Sequence, residues 1–360
     1  MCKARKTKPY ASARIIDSHP VGDNPLKNIF VTGGAGYIGS HCVKGLVSDG
    51  YNVTVLDNCD RGHVAAVERA SSGKATLIQA DLRDTQVVTQ ALQDNNIEGV
   101  IHFGALAYVG ESVTDPLQYY DNNTAGSISL LRAMDTAGVK RIVFSSTCAT
   151  YGQPARMPIT EDMPQQPINP YGWSKLMTER ALIDYAYANH DFAFAALRYF
   201  NVAGSDPGAI IGEDHHPETH IIPVVLNCAL GKVEKMSVFG TDYDTPDGTC
   251  IRDYIHVNDL VDAHVHVINA LQPGDQRFYN LGTGTGTTVL QIIEAGREVT
   301  GHAIPAEIGP RRPGDPPILY ADPSKIKNEL GWQAKCTDIK EMVADAWSWF
   351  KNNPDGYHDK

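Results

Sequence analysis

Tyr171-Gly-Trp-Ser-Lys175 sets a phenol and an ammonium four residues apart. On a helix that spacing puts both on one face. A nearby ammonium favours phenolate and lowers a pKa that is about 10 when unperturbed. The pair can then serve as a general base near neutral pH. A hydroxyl run, Ser145-Ser146-Thr147, closes a β-rich segment upstream. Thr147, in preference to Ser145 or Ser146, can share the proton of a reacting hydroxyl with Tyr171.

A second constellation lies near the start. Gly34-Ala-Gly36-Tyr-Ile-Gly39 fits GxGxxG, and Gly33, Gly36 and Gly39 fit GxxGxxG. The run follows the apolar segment Asn28–Gly33 and opens a helical stretch. Glycine lets a main chain approach a pyrophosphate, and free N–H groups at a helix start bind it. Asp57 ends the next strand, 18 residues past Gly39 (57 − 39). A carboxylate there accepts from ribose hydroxyls and repels a 2′-phosphate, which favours NAD over NADP. Asp81, ending the third strand, can reach an adenine edge or cap the helix that follows.

The elements that must position these groups alternate. Strands are expected at Asn28–Gly33, Tyr51–Asp57, Ala75–Asp81, Gly99–Ala105, Arg141–Ser146 and Phe192–Asn201. Helices are expected at Thr85–Asp94, Ile128–Ala137 and around Ser174–Ala188. Alternation implies a mostly parallel sheet covered on both faces. After Asn201 the texture changes: residues 204–220 are rich in Gly, Pro, Asp and His and read as a long functional loop. Helices follow at Val224–Gly231, Val257–Leu271, Thr287–Gly301 and Asp338–Lys351.

With 360 residues, two domains are expected, and 42% hydrophobic content excludes disorder as the main state. No apolar run approaches the ~18 residues a membrane helix needs. The charge of −11 argues against a nucleic-acid partner. Seven dispersed cysteines without CxxC fit a reducing, cytoplasmic setting rather than a disulfide framework or zinc site. The basic start lacks an apolar core of signal-peptide length and reads as an extension over residues 1–27.

GGAGYIGSH, Asp57-Asn58, HFGALAYVGES, YYDNN, SSTCATYG, PYGWSK, RYFN, GTDYDTPDGTCIRDYIHV, YNLGTG and RRPGD together resemble the UDP-glucose (UDP-galactose) 4-epimerases. These are extended short-chain dehydrogenases/reductases. The resemblance spans roughly residues 28–357. It implies an α/β fold: a Rossmann-type doubly wound parallel sheet over 28–205, with a smaller C-terminal α/β UDP-sugar domain over 206–360. The helix and strand near 257–283 are expected to return to the first domain. The activity implied is NAD-dependent epimerisation at the sugar C4, with zero net redox. Tyr171 takes the 4-hydroxyl proton, Lys175 binds nicotinamide ribose, and the 4-keto sugar turns over before hydride returns. A homodimer through helices Asp115–Leu131 and Ser174–Ala188 is implied as well.

Carried over residue by residue, the resemblance implies cofactor contacts at Gly33, Gly36, Tyr37, Ile38, Gly39, Asp57, Asn58, Asp81, Leu82, Phe103, Asn122, Ser145, Tyr171, Lys175 and Tyr199. On the substrate side it implies Thr147, Tyr171 and Asn201, with His220 as a phosphate donor. Phe239 would face uracil, with Met236–Val238 as the neighbouring strand. Arg252 and Arg312 would clamp phosphates, and Asp315 would accept from the uridine ribose. Arginine forks suit a diphosphate.

The sequence departs from the family in places. Ala107 stands where a lysine meets the cofactor pyrophosphate, which removes one charge contact. Trp173 replaces a usual lysine. Leu319, seven past Arg312, the second Arg of RRPGD (319 − 312), occupies the position that gates sugar size in the family the chain resembles. Leucine is intermediate between the tyrosine that excludes N-acetylhexosamines and the small residue that admits them. AYVGES and STCATYG also occur in relatives acting on UDP-xylose and UDP-arabinose, so pentose and N-acetylhexosamine substrates are alternatives. Cys148-Ala149 lacks the Asp-Glu pair of 4,6-dehydratases, and Thr150 supplies no carboxylate for a decarboxylase. A non-catalytic NAD sensor would not need the intact Thr147, Tyr171 and Lys175. His215, His216, His220, His264 and His266 form no HExxH, and no metal site is expected.

Overall fold

The computed structural model describes residues 26–312 and 316–359. Seven parallel strands form the main sheet. They are β1 (Asn28–Thr32), β2 (Asn52–Asp57), β3 (Thr76–Gln79), β4 (Gly99–His102), β5 (Arg141–Thr147), β6 (Ala193–Tyr199) and β7 (Gln276–Leu281). Their order is β7-β6-β5-β4-β1-β2-β3. The order reverses between β1 and β4, which opens a crevice at the strands' C-terminal ends.

Each strand feeds two cores by its period of two. Ile29, Val31, Val53, Val55, Ile101, Val143 and Leu197 enter one core. Phe30, Leu56, Val100, Ile142, Phe144 and Phe194 enter the other. Helices α1 (Tyr37–Ser48) and α5 (Val257–Ala270) cover the first face through Val43, Leu46, Val265 and Ile268. Helices α2 (Thr85–Asp94), α3 (Gly126–Ala137) and α4 (Pro170–Ala188) cover the second through Val88, Leu130, Met134 and Leu182. Burial on both faces explains why these strands read as near-continuous apolar runs.

After β6 the chain turns out at Phe200. The expected single strand Phe192–Asn201 is therefore two: β6, then Asn201–Ala203 paired with Tyr254–His256. The C-terminal part has helices Ile221–Ala229, Val289–Thr300 and Ile339–Asn352. Two small sheets accompany them, Met236–Phe239 with Ala306–Gly309, and Ile251–Arg252 between Thr287–Thr288 and Ile318–Leu319. Yet α5 and β7, from this half of the sequence, belong to the first body: β7 extends the main sheet beside β6.

The expected helix Asp115–Leu131 is interrupted. Pro116–Tyr119 is capped by Asp115, a wide π turn spans Tyr120–Ala125, and α3 follows. Within the π turn Asn123 Oδ1 accepts from the Leu106 amide at 2.8 Å and Nδ2 donates to the Leu106 carbonyl at 3.0 Å. The turn thereby anchors the loop after β4 over the crevice.

Candidate active site

A cleft of about 1840 Å³ runs from the glycine turn, past the ends of β4 and β5, to the small C-terminal sheets. Pockets for one small ligand are typically about 300–1,000 Å³, so the cleft has room for two nucleotides.

Alternation along the end of β5 splits its hydroxyls. Ser145 and Thr147 line the cleft. Ser146 points to the opposite face and donates to Glu179 at 2.5 Å. Thr147 then caps a 3-10 turn, Cys148–Tyr151, by accepting from the Ala149 amide at 3.1 Å. Asn169 caps α4 through the Gly172 amide, and Pro170 occupies its first turn. Tyr171 and Lys175 are thus delivered to the cleft one helical turn apart.

Tyr171 is buried, hydrogen-bonded with Thr147 and close to Tyr199. Lys175 Nζ donates to the Ser145 carbonyl at 2.9 Å and lies 5.0 Å from the Phe144 ring centre. The expectation that the Lys175 ammonium lowers the Tyr171 pKa needs correction. Burial raises Tyr171 well above the ordinary phenol value, Tyr199 adds to this, and the Thr147 hydrogen bond opposes it. Burial also pushes Lys175 down to about 7. Desolvation, not the ammonium, dominates here.

That shift has a signed consequence. An unfolded lysine keeps its proton to about pH 10.4. The unfolded chain therefore binds the extra proton between about pH 7 and that value, and stability rises with pH across the window. In protein stripped of nucleotide, Lys175→Met should gain stability over the parent below pH 7. The gap should close towards pH 10. Urea midpoints from pH 6 to 10 measure it, and a pH-independent gap would refute it.

The cofactor-side residues mostly meet in the cleft. Gly33, at φ +70°, passes so near Gly104 that a Cβ would stand 2.6 Å from its amide nitrogen. A Cβ on Gly39 would lie 2.0 Å from the Gly33 carbonyl. Both glycines are demanded by the turn itself. Asp57 accepts from the Ala35 amide at 2.9 Å and the Cys59 amide at 2.8 Å. Asn58, Leu82, Phe103, Asn122, Ser145 and Tyr199 line the wall. The Tyr37 hydroxyl is spent on the Gly204 carbonyl at 2.6 Å, so Tyr37, like Ile38, offers its backbone. Asp81 does not cap the following helix; Asp84 does, through the Val87 amide. Asp81 is instead gripped by the backbone and guanidinium of Arg83.

At the other end, Asn201, Met236, Phe239, Arg252, Arg312 and Leu319 line the wall. Arg312 sits 4.1 Å from the Phe239 ring centre. Arg252 bonds the Ile251 carbonyl at 2.7 Å. Val238 is not brought to the cleft: it is 2% exposed, packed in the core on the same face as Met236. Of this strand the cleft takes Met236, Ser237 and Phe239, while the Val238 side chain is enclosed by the core. Asp315 lies outside the described residues. His220 lines the cleft, but its Nδ1 is held by Glu213 at 2.7 Å and by Glu218 at 3.4 Å, leaving Nε2 for a ligand.

Several positioning groups escaped the sequence reading. Buried Asp253 accepts from the amides of Thr283, Gly284 and Ala321 and so ties three segments behind Arg252. Glu179 and Arg198 form a bidentate pair at 2.9 and 2.7 Å behind β5. Arg61 bonds Glu111 at 2.6 Å and lies over the Tyr108 ring, bringing a cation to the wall where Ala107 supplies none. Asp253, Arg198 and Glu111 lie inside the quoted motifs, but their partners are far away in sequence, so spacing alone gives no signal of these positioning roles.

Fold and site together define a class: a Rossmann-type nucleotide-binding protein with a threonine, tyrosine and lysine set in its cleft. The family model described as GDP-mannose 4,6 dehydratase matches residues 30–346. The UDP-glucose 4-epimerase of Lacticaseibacillus casei is 48% identical over 333 residues, covering 92% of this chain and 99% of that protein. A probable UDP-arabinose 4-epimerase 3 of Oryza sativa subsp. japonica is 44% identical, covering 98% and 88%. The crystal structure of UDP-glucose 4-epimerase from Bifidobacterium longum in complex with NAD+ and UDP is 42% identical, covers 92% and 100%, and superposes with a TM-score of 0.88. The chain belongs to the UDP-glucose 4-epimerase family within the extended short-chain dehydrogenases/reductases. None of the six described cysteines forms a disulfide, and no described helix is long and apolar enough to cross a membrane.

Proposed function

We propose that this chain interconverts UDP-glucose and UDP-galactose with NAD as its resident cofactor. The observation that carries the reading is Thr147, Tyr171 and Lys175 in the middle of a cleft with a phosphate-binding turn at one end and Arg252, Arg312 and Phe239 at the other.

The residues fit NAD. A Cβ on Gly36 would meet only the Gly33 carbonyl, at 3.4 Å, and otherwise fill the open cradle. Gly36 begins α1 without a side-chain cap, so the first amides of the helix are available to a pyrophosphate. Asp57 suits ribose hydroxyls. Gly36→Val should therefore fold normally but retain at least about tenfold less NAD, because the cradle and not the turn is blocked. Nucleotide released on denaturation measures this; parent-like NAD content would contradict the fit.

When bound, NAD supplies a hydride acceptor that returns what it takes, and its positive ring favours phenolate nearby. Tyr171 Oη then accepts the sugar 4-hydroxyl proton, with Thr147 Oγ1 aligning that hydroxyl. Lys175 Nζ meets ribose hydroxyls from its place beside the Ser145 carbonyl. Arg252, Arg312 and His220 Nε2–H hold the diphosphate, and Phe239 packs on the uracil, while the 4-keto sugar turns over. Tyr171 would return the proton to the sugar 4-oxygen once the turned-over 4-keto sugar presents the other face of C4. Net redox is zero.

Leu319 is half-buried in the strand Ile318–Leu319 beside Arg252, which leaves moderate space at the sugar end. Purified protein should turn over UDP-galactose faster than UDP-N-acetylgalactosamine and UDP-xylose in parallel, without added NAD. A faster rate on UDP-xylose would transfer the reading to the pentose epimerases, and no turnover of any would sink it. The six described cysteines, none in a disulfide, suit a reducing compartment such as the cytoplasm.

A homodimer is part of the proposal. Val113, Leu117 and Tyr187 are 62%, 76% and 81% exposed on the short helices after β4 and on α4. Exposed apolar side chains on these helices suit burial by a second copy. Sedimentation should show a dimer; monomer alone would remove it.

A further inference from the structure

The loop between Gly204 and His220 brings Glu213, His215, Glu218 and His220 together on the cleft wall. Their ligating atoms all lie within 4.8 Å of one another. We infer that these four residues form a closed binding site for a divalent transition metal of the zinc class. This inference stands apart from the epimerase reading.

The separations suit a small ion. His215 Nδ1 is 3.1 Å from Glu213 Oε1 and 3.8 Å from Glu218 Oε2. His220 Nδ1 is 2.7 Å from Glu213 Oε1 and 3.4 Å from Glu218 Oε1. A tetrahedral ion with bonds of about 2.0–2.1 Å sets its ligands about 3.3–3.4 Å apart, inside that spread. Two imidazole nitrogens and two carboxylates are a zinc-type donor set.

Two further observations point inward. His215 Nδ1 is buried and makes no hydrogen bond, although Glu213 Oε1 lies 3.1 Å away. A nitrogen lone pair aimed at a shared centre explains that geometry. Glu213, moreover, is only 6% exposed, and burying a carboxylate beside Glu218 requires compensating positive charge. A divalent ion cancels both negative charges with one centre.

The scaffold is already rigid. The Glu213 carbonyl accepts from Trp349 Nε1 at 3.1 Å, and Tyr357 Oη donates to the Gly212 carbonyl at 3.0 Å. Tyr37 and Tyr108 flank the His215 imidazole edge-on. The spacing in sequence is E-x-H-x-x-E-x-H, legible only once carboxylates are counted with the histidines. Four protein ligands leave no open position, so the site is structural. Binding at Nδ1 of His220 also places its proton on Nε2, which makes that nitrogen a fixed donor towards the cleft.

The test uses the full chain, stripped with chelator and then titrated with Zn2+ against a competing dye. One tight equivalent per chain is expected, with a rise in Tm on loading. His215→Ala and Glu218→Gln should each weaken Zn2+ by at least about 100-fold, since lesser outer contacts alone cost about 10–100-fold. His216→Ala, on an exposed neighbour outside the set, should bind like the parent. Co2+ in place of Zn2+ should give an intense tetrahedral visible spectrum. Absence of a tight equivalent, or parent-like affinity in both ligand variants, would overturn the inference. So would a thiolate-to-cobalt charge-transfer band, which would assign the ion to cysteine.

Discussion

Tyr171→Phe should reduce kcat by about 10²–10⁴-fold, the usual contribution of a positioned acid–base group. That corresponds to about 3–5 kcal/mol of barrier at 1.36 kcal/mol per tenfold. The substitution removes one oxygen and little else. The ring keeps its edge-on contact with Tyr119, at 6.4 Å between centroids. Burial favours phenylalanine, because the hydroxyl is desolvated and bonded to Thr147. Stability, NAD content and KM should therefore stay near the parent's while turnover collapses. Thr147→Ala should cost less, since Tyr171 still holds the proton's destination. Single-turnover measurements on UDP-galactose distinguish the two. Parent-like turnover in Tyr171→Phe would remove the catalytic assignment, and would favour a role in nucleotide binding alone.

The largest stability effect is expected one layer behind the site. Glu179 and Arg198 are 1% and 4% exposed in their side chains. Arg198 is bidentate to Glu179, bonds Tyr151 Oη at 2.8 Å and lies between the Tyr151 and Phe278 rings. Glu179 also receives Ser146 and Gln165. Glu179→Ala leaves a guanidinium buried without its anion, and should cost about 3–5 kcal/mol. Replacing both, as Glu179→Leu with Arg198→Met, should recover most of that loss, since a packed apolar pair avoids desolvating two charges. Urea unfolding midpoints provide the measurement. A double variant as unstable as the single one would show that the pair is needed for more than charge balance. Because Ser146 sits between Ser145 and Thr147, the single variant should lower turnover as well.

Local chemistry was readable wherever one short segment carries it. The glycine turn, the Asp57 carboxylate and the four-residue step from Tyr171 to Lys175 all depend on neighbours in sequence. The start of α4 lies earlier than expected: Asn169 caps it and Pro170 opens it, four residues before the expected Ser174 (174 − 170). The failures follow the opposite rule. Val238 was grouped with the cleft because its strand belongs there, but its side chain is enclosed by the core. The helix from Asp115 looked continuous, but Asn123 opens a π turn to hold Leu106, 17 residues away. Asp81 looked equally suited to capping, and the geometry gave that role to Asp84.

The sequence by itself determined the sheet class, the phosphate cradle and the reacting trio, since each rests on periodicity or spacing within a few turns of chain. Only the tertiary structure decided the electrostatics. Burial lowers the Lys175 pKa to about 7 and raises that of Tyr171, whereas spacing alone suggested an ammonium lowering a phenol. It also decided which distant residues meet: Glu179 with Arg198, and Asp253 with the segments at Thr283–Gly284 and Ala321. Desolvation depends on how much chain surrounds a group, and pairing depends on which loops converge. Both are properties of the packed molecule, so neither is written in the order of its residues alone.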